Sequence, residues 1–399
     1  MLLRFVTFAL KESVGPSEKV DANWKSIPPN VKRSFELRRA ECIAKFGWVR
    51  DQFKQSNNYA TGFWKNFEER EKLINCVVDA VNDYAKELAA LLYHYPVLAD
   101  GYYYCWTPCL SPQETIYFDD FRYDLQNMYF NVGVILVNVS ERLVCWQSAH
   151  GHASALQKEC YHYLLQAAGY FCLVKDISDD MELYVVGDVR LARPGDVSAS
   201  VLEFCHLVAI GQAQEIGSAR STENGQSEGK MLTVRLLHQT FKIYEEAHKV
   251  GLNCVAVDHN IFNEVLTFVK LKVDVFKSLT YSYASSGLFD SNPAGGLWFA
   301  NQSDLLAANA ITEKRTSGLQ KKKLPFRGDE LVDDCRIFVQ RNIERCRKIN
   351  SLVHRTNATE DSFELPPPTV LAQKKDIRLP AAFPHQTVAR PTVKISIGV

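Results

Sequence analysis

The sequence predicts a mainly α-helical fold, and three observations carry that prediction. Four long segments repeat apolar residues every three or four positions, the period of one helix face. Two further segments, Leu125–Leu143 and Val201–Ile210, are apolar nearly all round, as expected of helices lying between neighbours. β signals are sparse and strands do not alternate with helices, which removes the parallel-sheet enzyme folds.

Taken in order, Phe5–Leu10 is apolar and short, and predicts an N-terminal strand. Phe35, Cys42, Phe46, Val49 and Phe53 form the first helical stripe, with Arg39 interrupting it. Ile74, Val77, Val81, Tyr84, Leu88 and Leu91 form the second without a break. Tyr102–Trp106 and Glu182–Val186 read as short strands. Leu156, Cys160, Tyr163, Ala167, Tyr170 and Val174 make a third stripe, and Phe262, Val265, Val269, Phe276, Leu279 and Tyr283 a fourth. The helix around Leu331–Leu352 is more polar and belongs on a surface. Ser17–Pro29, Ser221–Gly229, Asp290–Gly296 and Thr316–Lys323 have loop composition. After Thr356, Pro366, Pro367, Pro368, Pro380, Pro384 and Pro391 exclude helix and favour an extended strap over the body or a loose end. No clean internal repeat is visible, although successive antiparallel helices suit a solenoid-like body.

The length of 399 residues suits two ordinary domains or one elongated one. Hydrophobic residues make up 46% and charged residues 23%, an ordinary globular composition. Lys+Arg and Asp+Glu both count 46, and without a basic excess nucleic-acid binding is not the expected role. The eleven cysteines are odd in number, scattered, and contain no CxxC pair, so reduced buried thiols of a cytosolic protein are expected. Met1–Leu10 is apolar but carries Arg4 and no small-residue cleavage site, unlike a signal peptide. The most apolar internal run, Val132–Val139, falls short of the ~20 residues that span a bilayer.

No chemistry-bearing motif survives inspection. Gly225–Met231 is one residue too short between its glycines for a phosphate loop, lacks Ser or Thr after Lys230, and follows no strand. His150, His152, Cys160 and His162 match no common zinc spacing. The adjacent pairs Asp119–Asp120 and Asp179–Asp180 point apart on a helix and read as helix-start charges. GxSxG, HExxH and GxGxxG are absent. The expectation is therefore no enzyme, no metal or cofactor and no small-molecule substrate. Lys314, Arg315, Lys321, Lys322, Lys323 and Arg327 form one basic cluster in a loop. A solvated loop is the plain reading. An anionic-membrane contact through Lys321, Lys322 and Lys323 is the functional one, at up to ~1 kcal/mol per well-placed charge.

Met231–Ala247 is the most informative stretch. Val234, Leu237, Phe241 and Tyr244 fall on one helix face, and Leu232, Leu236 and Ile243 form a second stripe roughly 140° away. One-sided packing needs a single stripe. The second is either covered by another layer, which composition favours, or offered to a partner helix.

The order of several segments resembles a known family. Met128–Leu143 (MYFNVGVILVNVSERL) is followed by His162–Phe171 (HYLLQAAGYF), Gly211–Ile216 (GQAQEI), Tyr244–Ala247 (YEEA) and a Pro-rich close from Glu364 to Pro380. Together they resemble the Bro domain of Alix-like ESCRT accessory proteins, and are most similar to the single-domain Brox branch. The resemblance implies a Bro domain over 1–383, with a small β element near the N-terminus, a helical core at about 30–355, a strap over 356–383 and a flexible tail at 384–399. It implies a boomerang-shaped, TPR-like helical solenoid. It further implies a cytosolic adaptor, peripheral on endosomes, that docks the C-terminal amphipathic helix of an ESCRT-III subunit in a concave groove. Leu232 and Leu236 fall on the family's two apolar groove positions, and Lys158 on a basic flank. The acidic groove position falls on Ser154, and a family aromatic on Gly217. The segment Glu223–Gly229 is about two residues longer than usual for the family. The Brox type ends in a prenylation box, whereas this chain ends Ile-Ser-Ile-Gly-Val, so no lipid anchor is expected. A monomer is expected. Bro domains also occur in small-GTPase effectors and cytoskeletal linkers, which makes a non-ESCRT scaffold the alternative.

Overall fold

The computed structural model describes residues 3–13, 25–55, 66–95, 104–110, 116–118, 121–150, 154–179, 185–186, 189–190, 195–223, 230–254, 259–316, 325–357 and 363–380. Nine long helices lie among them: α1 (Pro29–Gln55), α2 (Phe67–His94), α3 (Phe121–His150), α4 (Ser154–Asp179), α5 (Ala199–Glu223), α6 (Lys230–Leu252), α7 (His259–Leu288), α8 (Pro293–Thr316) and α9 (Gly328–Ile349). Among the described residues the β content is two short antiparallel pairs, β1 (Tyr104–Trp106) with β2 (Ile116–Phe118) and β3 (Val185–Val186) with β4 (Val189–Arg190).

From α3 onward each helix packs chiefly on its predecessor and its successor, the arrangement of a solenoid. The apolar stripes explain why. Every residue of the α2 stripe is buried, and so are those of α1, including Arg39, which interrupts it. The start of α2 is sharpened by Asn66, whose side chain accepts from the Glu68 and Glu69 amides. Its first-turn acids face the positive end of the helix dipole. α3, apolar nearly all round, is buried along Phe121–Ser140 apart from the half-buried Arg122. By length and composition its Phe121–Gln147 part is apolar enough to cross a bilayer, more than the short run Val132–Val139 implied, yet it lies inside the protein.

Polar side chains join what the stripes leave separate. Arg39 of α1, out of pattern in the sequence, donates to both carboxylate oxygens of Asp124 at the start of α3 (3.0 and 2.8 Å). Tyr84 Oη (2.6 Å) and Trp106 Nε1 (2.7 Å) donate to the same carboxylate. Arg70 of α2 similarly reaches Glu159 of α4 with two bonds of 2.8 and 2.6 Å, both groups buried. Each is a two-pronged, charge-assisted contact.

The N-terminal segment 3–13 differs from the expected strand. It is extended, but it is held by amide side chains. Gln212 accepts from the Val6 amide, Asn138 exchanges two bonds with Phe8, and Asn131 two with Lys11. Its one ladder contact is a bridge between Ser13 and Trp106, which places the small β element at β1–β2. A helical surface supplies no strand edge, and asparagine amides on α3 substitute for one.

None of the eleven cysteines is in a disulfide, and Cys76 is the exposed one. Burial pushes Cys42 and Cys335 up to about 12 and Cys145 up to about 11. Thiolate is the reactive form, so at neutral pH a disulfide-exchange reagent should modify one thiol per folded chain rapidly. All eleven should react after denaturation, and rapid release of several equivalents by the folded protein would contradict this packing.

Candidate functional site

α9 ends in one π turn, Asn350–His354, and Arg355 takes a left-handed conformation (φ 50°) that turns the chain. Asn350 clamps that turn with two bonds to the Thr356 backbone (2.8 and 3.1 Å). Residues 363–380 then run extended across the body. Phe363 meets Trp298 and Phe299 of α8. The Pro366 carbonyl accepts from His238 Nδ1 of α6 (2.8 Å), and the Thr369 amide donates to the Arg235 carbonyl (3.1 Å). Tyr161 Oη of α4 donates to the Leu371 carbonyl (3.0 Å), and the Lys375 amide to the Leu165 carbonyl (3.0 Å).

Gln214 of α5 splices the crossing. Its Oε1 accepts from the Leu371 and Ala372 amides (2.9 Å each), and its Nε2 donates to the Thr369 (3.0 Å) and Leu236 (3.4 Å) carbonyls. Two glycines let the strap lie close. A Cβ on Gly169 would overlap the Lys375 carbonyl, and one on Gly217 would overlap the Leu371 side chain. Leu371 therefore fills the space above Gly217.

This strap borders a surface built from the first turns of α4 and α6 and the last turn of α5. Antiparallel packing brings those three ends to one side. Lys158 is exposed one turn before Tyr161, and Leu232 is 50% exposed one turn before Arg235 and Leu236. Both are thus displaced in the same sense from the strap contacts of their helices. Between them, Gln157 of α4 donates to Glu223 at the end of α5 (3.4 Å). On the strap, Val370 is 54% and Leu371 46% exposed. Leu232 and the strap pair Val370 and Leu371 are thus exposed apolar side chains on the elements that meet at this crossing, an apolar ledge where an apolar side chain of a partner could be buried, and Lys158 is an exposed cation on α4.

Leu236 corrects the sequence-based expectation. At 5% exposure it is an interior residue, as is Ile243 of the same stripe. One turn of helix separates Leu236 from Leu232, but the rotation turns Leu236 toward α5, whose Ser218 and Ser221 bond Thr240 and Thr233 on that side of α6. The second stripe is therefore covered except at Leu232. Ser154 is the first residue of α4, and its side chain lies outside the described residues, as do Lys321, Lys322 and Lys323. Of the decoys, Gly225–Gly229 and His152 also lie outside them, while Cys160 is buried and His162 exposed. Val370 and Leu371 were missed because their exposure depends on the strap's path; the apolar pair in a Pro-rich stretch was the available signal.

Further along the same helices, three turns from Leu232 on α6, lies a buried triad. Glu215 of α5 accepts from Lys272 of α7 and from Tyr244 of α6, and all three are at most 1% exposed. Burial raises the Glu215 carboxyl and lowers the Lys272 ammonium, each opposed by the charge of the other. The rings of Phe5, Tyr244, Phe268 and Phe276 surround the ammonium at 5.0–5.9 Å. The triad fixes α5, α6 and α7 relative to one another, and with them the ledge.

Comparison with known proteins gives consistent matches. A family model described as the BRO1-like domain matches residues 49–388. The pH-response regulator protein palA/RIM20 of Emericella nidulans is 25% identical over 177 residues, 43% of this chain. That alignment spans 19% of the relative's length. Among solved structures, an ALIX BRO1–CHMP4C complex superposes with a TM-score of 0.63 at 13% identity, covering 94% of this chain and 96% of the other. A structure described as the basis for endosomal targeting by the Bro1 domain gives 0.59 at 13% identity, covering 94% of each.

Proposed function

This chain belongs to the BRO1-like domain family, and from that premise we propose that it is an adaptor for the C-terminal amphipathic helix of an ESCRT-III subunit. The observation that carries the reading is Leu232, a large apolar side chain left half exposed on an otherwise covered stripe; the resemblance adds Lys158, exposed on α4, as a basic flank. A partner helix would place one or two leucine-type side chains against Leu232, Val370 and Leu371, and an acidic residue toward Lys158. Each anchor contributes ~1.5–3 kcal/mol before ordering costs, which is consistent with affinity on the order of micromolar. The solved complex of an ALIX BRO1 domain with CHMP4C supports this class of partner. We place the work of the adaptor at an endosomal surface, with the chain a monomer that acts by binding rather than by catalysis.

The test is fluorescence-polarisation binding of labelled C-terminal helices from several ESCRT-III subunits to wild type and Leu232→Asp. Binding by wild type should fall at least about tenfold in the variant, since a carboxylate cannot be buried against leucine without a partner. Circular dichroism should be unchanged, because Leu232 is half exposed. A misfolded Leu232→Asp would assign the residue to the core. Absence of wild-type binding to every subunit would favour a scaffold of another class, such as a small-GTPase effector or cytoskeletal linker.

A further inference from the structure

A second concavity opens at the same end of the molecule, between the α5–α6 end and α9, with a volume of about 330 Å³. Its charged side chains are all cationic: Lys230, Arg341 and Arg345. Arg341 and Arg345 stand one turn apart on α9 and share a side of that helix. Among the described residues neither guanidinium is in an ion pair. Lys230 Nζ makes one long contact, 3.4 Å to the Ser286 carbonyl, and two of its three protons remain available. Lys230 is also the first residue of α6, whose amino-terminal amides and dipole add positive potential. Three acids stand nearby without lining the cavity, and Glu344 adjoins Arg345 in sequence with no ion pair to it among the described residues. Glu223 accepts from Gln157, and Asp334 lies two turns back along α9, where its charge reaches Tyr283.

The rest of the lining is built rather than incidental. Ser286 Oγ donates to Asn342 Oδ1 (2.6 Å), and Asn342 Nδ2 donates to the Ser282 carbonyl (2.9 Å), which fixes the floor between Lys230 and the two arginines. Ser221 is bonded to Thr233 (2.6 Å) and Thr222 Oγ1 donates to the Ala219 carbonyl (2.6 Å), so both lining hydroxyls are held in place. Tyr283 stacks on Phe338 with centroids 4.9 Å apart and makes a flat apolar wall. Guanidinium and ammonium groups recognise phosphate, hydroxyl acceptors recognise ligand hydroxyls, and the volume is that of a small-molecule site, which starts at about 300 Å³.

We propose that this pocket binds a phosphorylated polyol, with its phosphate monoester held by Lys230, Arg341 and Arg345 and its hydroxyls by Ser221 and Thr222. The site is separate from the Leu232 ledge, and neither requires the other.

The experiment is isothermal titration of the full chain with inositol trisphosphate, with unphosphorylated inositol as control. A parallel sedimentation assay uses phosphatidylcholine vesicles with and without a phosphorylated phosphoinositide. The trisphosphate should bind and inositol should not. Arg341→Gln/Arg345→Gln should weaken binding by about tenfold or more, the loss of charge-assisted bonds, with an unchanged melting temperature. Arg336→Gln, exposed and roughly 140° around α9, should bind as wild type does. Vesicle capture in addition would identify a lipid headgroup as the source, and binding in solution alone a free phosphorylated polyol; both uphold the site. No binding of the trisphosphate, or an equal loss in Arg336→Gln, would overturn it. So would binding of a phosphoserine peptide in place of the polyol.

Discussion

Lys272→Met is expected to lower the unfolding free energy by about 3–5 kcal/mol, the range for breaking a buried pair by removing one partner. The methionine fills most of the lysine's space among Phe5, Phe268 and Phe276, so the loss is chiefly electrostatic. Glu215, 1% exposed, then keeps Tyr244 as its remaining donor. The cost depends on pH with a definite sign. Burial already raises the Glu215 carboxyl above its ordinary value of 4.5, and the lysine charge is what opposes that rise. Without it the folded chain holds the proton more tightly than the unfolded chain. Stability of the variant is therefore best below about 4.5 and is lost as pH rises through the folded value. Urea denaturation at acidic and mildly basic pH should show the gap to wild type widening at the basic end. Adding Glu215→Leu should restore much of the loss, because a buried pair replaced by apolar residues is often neutral. A Lys272→Met protein as stable as wild type at pH 8 would show that the triad is not a stabilising contact. Because the triad joins α5 and α6, which carry the ledge, to α7, Lys272→Met should also weaken partner-helix binding in proportion to the folded fraction.

Asp124→Ala should have an effect of similar size, about 3–5 kcal/mol, at the other end of the chain. The carboxylate is fully buried and serves Arg39, Tyr84 and Trp106 at once. Its removal strands a guanidinium that is 4% exposed, and leaves a phenol and an indole N–H without an acceptor. Asp124→Asn keeps the shape and one acceptor oxygen, and should cost less than the alanine. The unfolding transitions of wild type, Asp124→Asn and Asp124→Ala should fall in that order. Equal midpoints for all three would mean that α1, β1 and α3 are held together by apolar packing alone. Folded Asp124→Ala should retain partner binding, since none of these groups borders the ledge.

These two clusters mark the boundary between local and long-range information. The stripes of α2 and α4 were legible because burial of a helix face imposes its own spacing on contiguous residues. Arg39 was legible as an interruption and nothing more, since its partner stands 85 positions away. Phe5–Leu10 was correctly extended, but the choice of asparagine side chains over a neighbouring strand required α3 to be in place. Likewise, the odd lysine of a failed phosphate motif, Lys230, acquired neighbours only when α9 folded against α6 and α7.

What the sequence by itself determined is the helical class, the register of each apolar face, the extended Pro-rich crossing segment and, through the order of its motifs, the family. The tertiary structure decided which of Leu232 and Leu236 meets solvent, that Leu371 occupies the space above Gly217, and that three cations converge on one cavity. The physical reason is that helix periodicity arises within a few turns of chain, whereas exposure is set by whatever other element arrives. Two leucines one turn apart have the same local preference, and α5, covering one and not the other, makes them different.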